Sequence, residues 1–149
     1  METNSTEARQ RVLEVAEQLF AQKGYTAVTV RDIAASVGIH HTTLYHHVPG
    51  GKEQLFVEVV ERTFQRHRVG LTRALAQVAP DLRAQLCAAA DWLLSQPPMD
   101  QVRLVYSDLP SIDPIQAEHL LNLAYESMLL PLETAFRFAQ QQGTIHHHD

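Results

Sequence analysis

Residues 29–56 read TVRDIAASVGIHHTTLYHHVPGGKEQLF, and the folding of this stretch decides the rest. Thr29-Val-Arg-Asp32 has the form of a capping box, with Asp in place of the usual Glu or Gln. It opens a short helix that buries Ile33, Ala34 and Val37 and ends at Gly38. From His41 to about Val48 a second short helix fits, with Leu44 and Val48 four apart on its inner side. Pro49-Gly50-Gly51 breaks it, and Lys52-Glu53-Gln54 begins a long helix with Phe56, Val59, Val60 and Phe64 inward. Two short helices joined through Gly38-Ile39-His40 have the size and tight turn of a helix-turn-helix. The glycine supplies the left-handed turn, and Ile33, Ala34, Val37, Ile39, Leu44 and Val48 fix the crossing. His41, Thr42, Thr43, Tyr45 and His46 then stand where a helix entering a DNA major groove meets base edges.

Upstream, Ser5 or Thr6 is a candidate cap for a first helix. Its apolar face is Val12, Val15, Ala16, Leu19 and Phe20, and Gly24 is its stop. Tyr25 to Val28 form a short linker. Downstream, the long helix is expected to bend or break around Gly70. Pro80-Asp81 stops one helix and caps the next, Leu82 to Ser95, and a shorter helix covers about Met99 to Ser107. Asp113-Pro114 opens a long helix to about Gln142, which Pro131 should kink. No period-2 strand and no repeat is visible. The expected fold is all-α, with an N-terminal three-helix helix-turn-helix domain over 1–52 and a helical core over 53–149.

The quoted stretch, the helix before it, the Gly24-Tyr25-x-x-x-Thr29-Val30 linker and the Lys52-Glu53-x-Leu55-Phe56 opening together resemble the DNA-binding segment of TetR-family transcriptional regulators. The likeness covers about residues 7–67, and several elements agree in order and spacing. It implies a helical ligand-binding and dimerisation domain after the helix-turn-helix. It also implies a repressor that binds a pseudo-palindromic double-stranded DNA operator as a homodimer and leaves it when a small-molecule effector binds the C-terminal core. By position, His41, Thr42, Thr43, Tyr45 and His46 would approach bases and nearby phosphates, each base contact worth about 1–3 kcal/mol of discrimination. Thr29, Arg31, His47 and Lys52 would be mainly backbone contacts, with Arg31 also within reach of a base.

Two departures stand out. His40 occupies a position where the family commonly has a small capping hydroxyl, so a weaker or different cap is expected. The glycine pair makes the turn one residue longer than the common Pro-Ser-Lys form. In the resembled family, two further C-terminal helices usually build the dimer. The chain stops after Gly143-Thr-Ile, so either a truncated product or pairing through the Asp113–Gln142 helix is expected.

Other chemistries fit less well. The two histidine pairs lie five, six and seven residues apart, whereas helical chelation favours four, so no metal is expected there. His146 to His148 read as a frayed end. Pro49-Gly-Gly-Lys52 lacks the spacing and the preceding strand of a nucleotide loop. No hydrolase constellation is present, no cofactor is implied, and the chain is not read as an enzyme. Cys87, the single cysteine among the 149 residues, reads as a small buried hydrophobe and excludes an internal disulfide framework. Net charge is −5, yet residues 1–52 carry five basic and five acidic residues, so the excess lies beyond them. A neutral module still holds phosphates through helix N-termini and a few cations. With no membrane-length apolar run, the expectation is a soluble cytoplasmic protein. Beyond residue 60, Phe64, His67, Trp92, Met99, Tyr106, Tyr125, Met128 and Phe136 are candidates for a ligand cavity, with core packing the competing reading for each. The competing function is a helical protein-interaction module that no longer binds DNA.

Overall fold

A computed structural model describes residues 2–145; the expected frayed histidine end, 146–148, lies outside them. The described residues are helical, with no strand. Helix α1 spans Glu2–Lys23, starting before the expected caps at Ser5 and Thr6. Val12, Leu13, Ala16 and Phe20 are its buried face. Gly24, at φ +80, ends it, and its N–H donates to the Phe20 carbonyl at 2.9 Å. Helix α2 is Val30–Val37, α3 is His41–His47 and α4 is Gly51–Gln77. Helix α5 spans Leu82–Ser95, the range read from the sequence, and the Asp81 side chain accepts from the Ala84 N–H as its cap.

The next two regions are less regular than expected. Helix α6 is only Gln101–Arg103; the chain then winds into a π-turn over Leu104–Asp108 and a 3-10 turn over Leu109–Ser111. The long helix after Asp113 is α7, Pro114–Ala124, followed by a π-turn over Tyr125–Leu129 and by α8, Leu130–Gln141. Pro131 has no N–H for the carbonyl four residues back, and its ring crowds that carbonyl. The wider turn immediately before it accommodates both demands, with the Leu130 N–H reaching the Tyr125 carbonyl instead.

The chain forms two compact units. One is Met1–Glu61 with Met99–Leu120; the other is Arg62–Pro98 with Leu121–Asp149. In the first, the Phe20, Tyr25 and Phe56 rings pack with centroids 4.9–6.2 Å apart, Phe56 meeting Phe20 edge-on. In the second, Leu71, Leu75 and Ala89 form a core with Trp92, Leu93 and Leu132 against it. Leu82, Ala135 and Ala139 form a smaller cluster with Ile145.

Helix α4 runs without a break through Gly70, where a bend or an interruption was expected. The glycine serves packing instead. A Cβ there would lie 2.0 Å from Trp92 Cζ2 and 2.1 Å from Cε2, so the indole rests directly on the backbone. Helix propensity favours Gly70→Ala by about 1 kcal/mol, whereas overpacking against a large ring costs about 1–3 kcal/mol. The clash should win: Gly70→Ala is expected to lower unfolding free energy by up to about 2 kcal/mol in urea denaturation. A more stable variant would show that the indole is not seated on this glycine.

Candidate nucleic-acid interface

Helix α2 is capped at both ends by its own sequence. The Asp32 N–H donates to the Thr29 hydroxyl oxygen at 3.1 Å, and the Thr29 N–H donates to Asp32 Oδ2 at 2.8 Å. The Thr29 hydroxyl also donates to that carboxylate at 2.7 Å. These bonds from Thr29 hold the Asp32 carboxyl below its ordinary pKa. At the other end Gly38, at φ +80, gives its N–H to the Ala34 and Ala35 carbonyls, and the Ile39 N–H follows to Ala34.

Helix α3 therefore starts at a fixed angle. Leu44 and the following Val48 are fully buried. Thr42, Thr43, Tyr45 and His46 are exposed, and His41 and His47 are half-buried. The expected reading faces share one outward side. His40 does take the cap position: its Nδ1 accepts from the Thr42 N–H at 3.4 Å and lies 2.8 Å from the Thr42 hydroxyl. A ring nitrogen that accepts must be unprotonated. Its single lone pair is shared, so the longer amide contact is weak. The His40 and His41 rings pack at 4.3 Å.

The cations are placed unequally. Arg31 is exposed on α2. Lys52 is half-buried, its ammonium donating to the Tyr25 carbonyl at 3.1 Å and lying 4.1 Å from the centroid of the Tyr25 ring. Gly51, at φ +67, needs the glycine, and a Cβ there would meet Tyr45 Cε1 at 3.4 Å. Arg9 makes a two-pronged pair with Glu58, both contacts at 2.7 Å. Sequence reasoning missed Tyr25 as the seat of Lys52. It also missed Asp108, whose carboxylate accepts from the Tyr25 N–H at 2.9 Å. An acid 83 residues away leaves no local pattern to read.

The ligand candidates do not converge as a set. Phe64 and His67 are buried, and Trp92 and Met128 half-buried, all in the second unit. Tyr106 is 79% exposed and belongs to the first unit. Tyr125 is exposed, and its hydroxyl donates to Glu133 at 2.6 Å. That bond, with the Glu133 charge, raises the phenol pKa. An open groove of about 720 Å³ in this unit is lined instead by Arg68, Thr72, Leu75, Gln85, Glu126, Phe138 and their neighbours. His67 Nδ1, Trp92 Nε1 and Ser127 Oγ are buried and make no hydrogen bond to any described residue. Cys87 is exposed, against the expectation of a buried thiol. Among the described residues no group of three or more His, Cys, Asp or Glu could hold a metal, and no helix is long and apolar enough to cross a membrane.

The family of bacterial regulatory proteins named tetR matches residues 12–59. An HTH-type transcriptional repressor KstR2 of Rhodococcus jostii (strain RHA1) is 40% identical over 78 residues, 52% of this chain and 37% of that protein. The HTH-type transcriptional repressor Rv3405c of Mycobacterium tuberculosis is 30% identical over 100 residues, 54% of this chain and 53% of that one. The chain thus spans about a third to a half of the length of these relatives. Among solved structures, a transcriptional regulator from Saccharomonospora viridis in complex with choline superposes with a TM-score of 0.79 at 26% identity. That comparison covers 97% of this chain and 76% of the other. A tetR-family regulator from Rhodococcus RHA1, at 24% identity and a TM-score of 0.75, shares the fold over 95% of this chain and 74% of its own.

Two outcomes follow from this geometry. His40→Ala should cost about 0.5 kcal/mol of stability, at the low end for a lost cap, while His40→Ser should equal or exceed the parent; thermal melts distinguish them. For His67, burial pushes the imidazole pKa down from its ordinary value, and the Arg66 charge acts in the same direction. Between pH 7.5 and about 5 the unfolded chain then binds more proton than the folded one, so stability should fall as pH falls. Urea midpoints across that range should show a shallower fall in His67→Leu; an identical slope would count against a buried neutral imidazole.

Proposed function

Because residues 12–59 match the tetR family of bacterial regulatory proteins, we propose that the chain is a member of it, a sequence-specific DNA-binding repressor that acts as a homodimer in the cytoplasm and is released by a small-molecule effector. The observation that carries this reading is α3: Leu44 and Val48 are buried while Thr43, Tyr45 and His46 face outward on a helix fixed by the Gly38 turn. Residues 1–52 supply the DNA-binding domain and 53–149 the regulatory core. His41, Thr42, Thr43, Tyr45 and His46 face bases; Thr29, Arg31, His47 and Lys52 meet the backbone. The Thr42 hydroxyl is engaged by His40, and the Thr29 hydroxyl by Asp32, so each must share or exchange its bond to reach DNA.

The choline complex of the Saccharomonospora viridis regulator supports a small-molecule effector. In this chain the effector would be held by Phe64, His67, Trp92, Tyr125 and Met128, or by the groove that begins at Arg68 and Glu126. Buried polar atoms without partners are uncommon in protein interiors. His67 Nδ1 and Trp92 Nε1 therefore support a polar ligand group close by. No metal, cofactor or catalysis enters the proposal.

Selection of genomic fragments, footprinting and mobility shifts test the reading together. Two protected half-sites about one turn of DNA, ~34 Å, apart are expected, with affinity falling as salt rises. Tyr45→Ala and Lys52→Ala should each weaken binding about tenfold or more. The local charge balance and the internal use of Lys52 favour one second reading, an interaction module that no longer binds DNA. Retention of no fragment even at low salt would establish that alternative over the first.

A further inference from the structure

The residue that seats Lys52 is itself gripped from the opposite side. The Tyr25 N–H donates to Asp108 Oδ1 at 2.9 Å, and its carbonyl accepts from the Lys52 ammonium at 3.1 Å. Asp108 is 4% exposed. A buried carboxylate is costly unless paired and hydrogen-bonded. Here one oxygen takes the Tyr25 N–H, and the other lies 3.6 Å from Arg103 Nε. Arg103 Nη2 in turn donates to the carbonyls of Phe20 at 3.0 Å and Ala21 at 2.6 Å, in the last turn of α1. Carbonyls at a helix end lack partners within the helix. Phe20 already accepts from the Gly24 N–H, so the guanidinium adds a second bond there, supplies one to Ala21, and favours the negative end of the helix dipole. Gly24 lets it come close: a Cβ at that position would lie 3.0 Å from Arg103 Cδ.

Arg103 and Asp108 are five residues apart. On an α-helix, positions five apart face directions about 140° apart, and the two side chains would diverge. The π-turn over Leu104–Asp108 holds more residues per turn and brings both to the end of α1. The irregular winding is thus what assembles the clasp.

We propose that Arg103 and Asp108 are positioning residues for DNA binding: by fixing Tyr25 they hold the Lys52 ammonium ready for a duplex phosphate. The inference rests on the reading of Lys52 as a phosphate contact. An ammonium has three donors. Tyr25 takes one through its carbonyl and supports the charge with its ring. A lysine stem held before binding loses less rotamer freedom when the phosphate arrives.

The test is a double-variant cycle on the full chain, titrated with a fluorescent duplex recovered by genomic-fragment selection. Asp108→Asn should weaken binding about tenfold in the parent but less than about twofold in Lys52→Ala, because the two residues act through one contact. The salt slope should fall by about 0.9 in Asp108→Asn, the share of one phosphate. In the DNA-free protein, the Lys52 Hε resonances, shifted by the Tyr25 ring, should move toward random-coil positions. Equal losses in both backgrounds would overturn the proposal. Unchanged affinity and unmoved Lys52 resonances in a folded Asp108→Asn would do the same. If Asp108→Asn does not fold, Arg103→Gln, which leaves the Asp108 carboxylate in place, must show the same dependence on Lys52. Failure of the parent chain to bind any duplex overturns the DNA-binding reading itself, and is seen before any variant is compared.

Discussion

A helix of seven residues does not hold itself together in water, so everything α3 can present depends on the burial of Leu44 and Val48. Fully burying a side chain of this size contributes about 1.5–3 kcal/mol. A cap contributes about 1 kcal/mol at most sites, and here the amide contact of the cap is long at 3.4 Å. Packing therefore outweighs capping, and His40 is tolerated where a hydroxyl would be the better cap. The same two anchors set which residues face out. With Leu44 and Val48 inward, Thr42, Thr43, Tyr45 and His46 are left exposed.

The parts of the fold that were legible from sequence are those written in short-range pattern. In the Thr29–Asp32 box and at the Asp81 start of α5 a side chain reaches the backbone three residues on. In the Gly38 turn a backbone N–H returns to the carbonyls of Ala34 and Ala35. All three are local devices. The four-residue spacing of Leu44 and Val48 is equally local. No break occurs at Gly70; a glycine in a helix has more than one explanation, a bend or break on one hand and a close neighbour on the other. The neighbour, Trp92, lies on another helix and cannot be inferred from the glycine alone. The exposure of Tyr106 was hidden for a related reason: a π-turn shifts the register that an α-helical spacing assumes, and nothing in Leu104–Asp108 signals the extra winding. His40 was legible as a departure, though only the structure shows its ring nitrogen in the cap's place.

The candidate interface was half legible on the same grounds. Its exposed face follows from α3, but the disposition of Lys52 does not. Read along the chain, Lys52 is a cation at the start of α4; in the fold it is bound to the backbone and ring of Tyr25. That difference matters for a segment with five cations and five acids over residues 1–52. Such a module cannot rely on a broad positive field to attract a duplex. On the proposed function, its affinity would come from a few contacts made with good geometry, since each neutralised phosphate contributes individually.

Geometry of that kind has to be supported from outside the helix-turn-helix itself. Tyr25 follows Gly24 in the linker after α1, and linkers are usually the loosest part of a fold. Here the linker is tied on both sides, to Lys52 and to Asp108, and the end of α1 is tied to Arg103. Residues 99–120 consequently belong to the same compact unit as the helix-turn-helix, although they lie far beyond it in sequence. A clasp made by a charged pair, a glycine and a π-turn has a further property that apolar packing lacks. Hydrogen bonds are directional, so rewinding Leu104–Asp108 as α-helix would turn Asp108 away from Tyr25. The restraint on Lys52 therefore depends on how a segment far along the chain is wound.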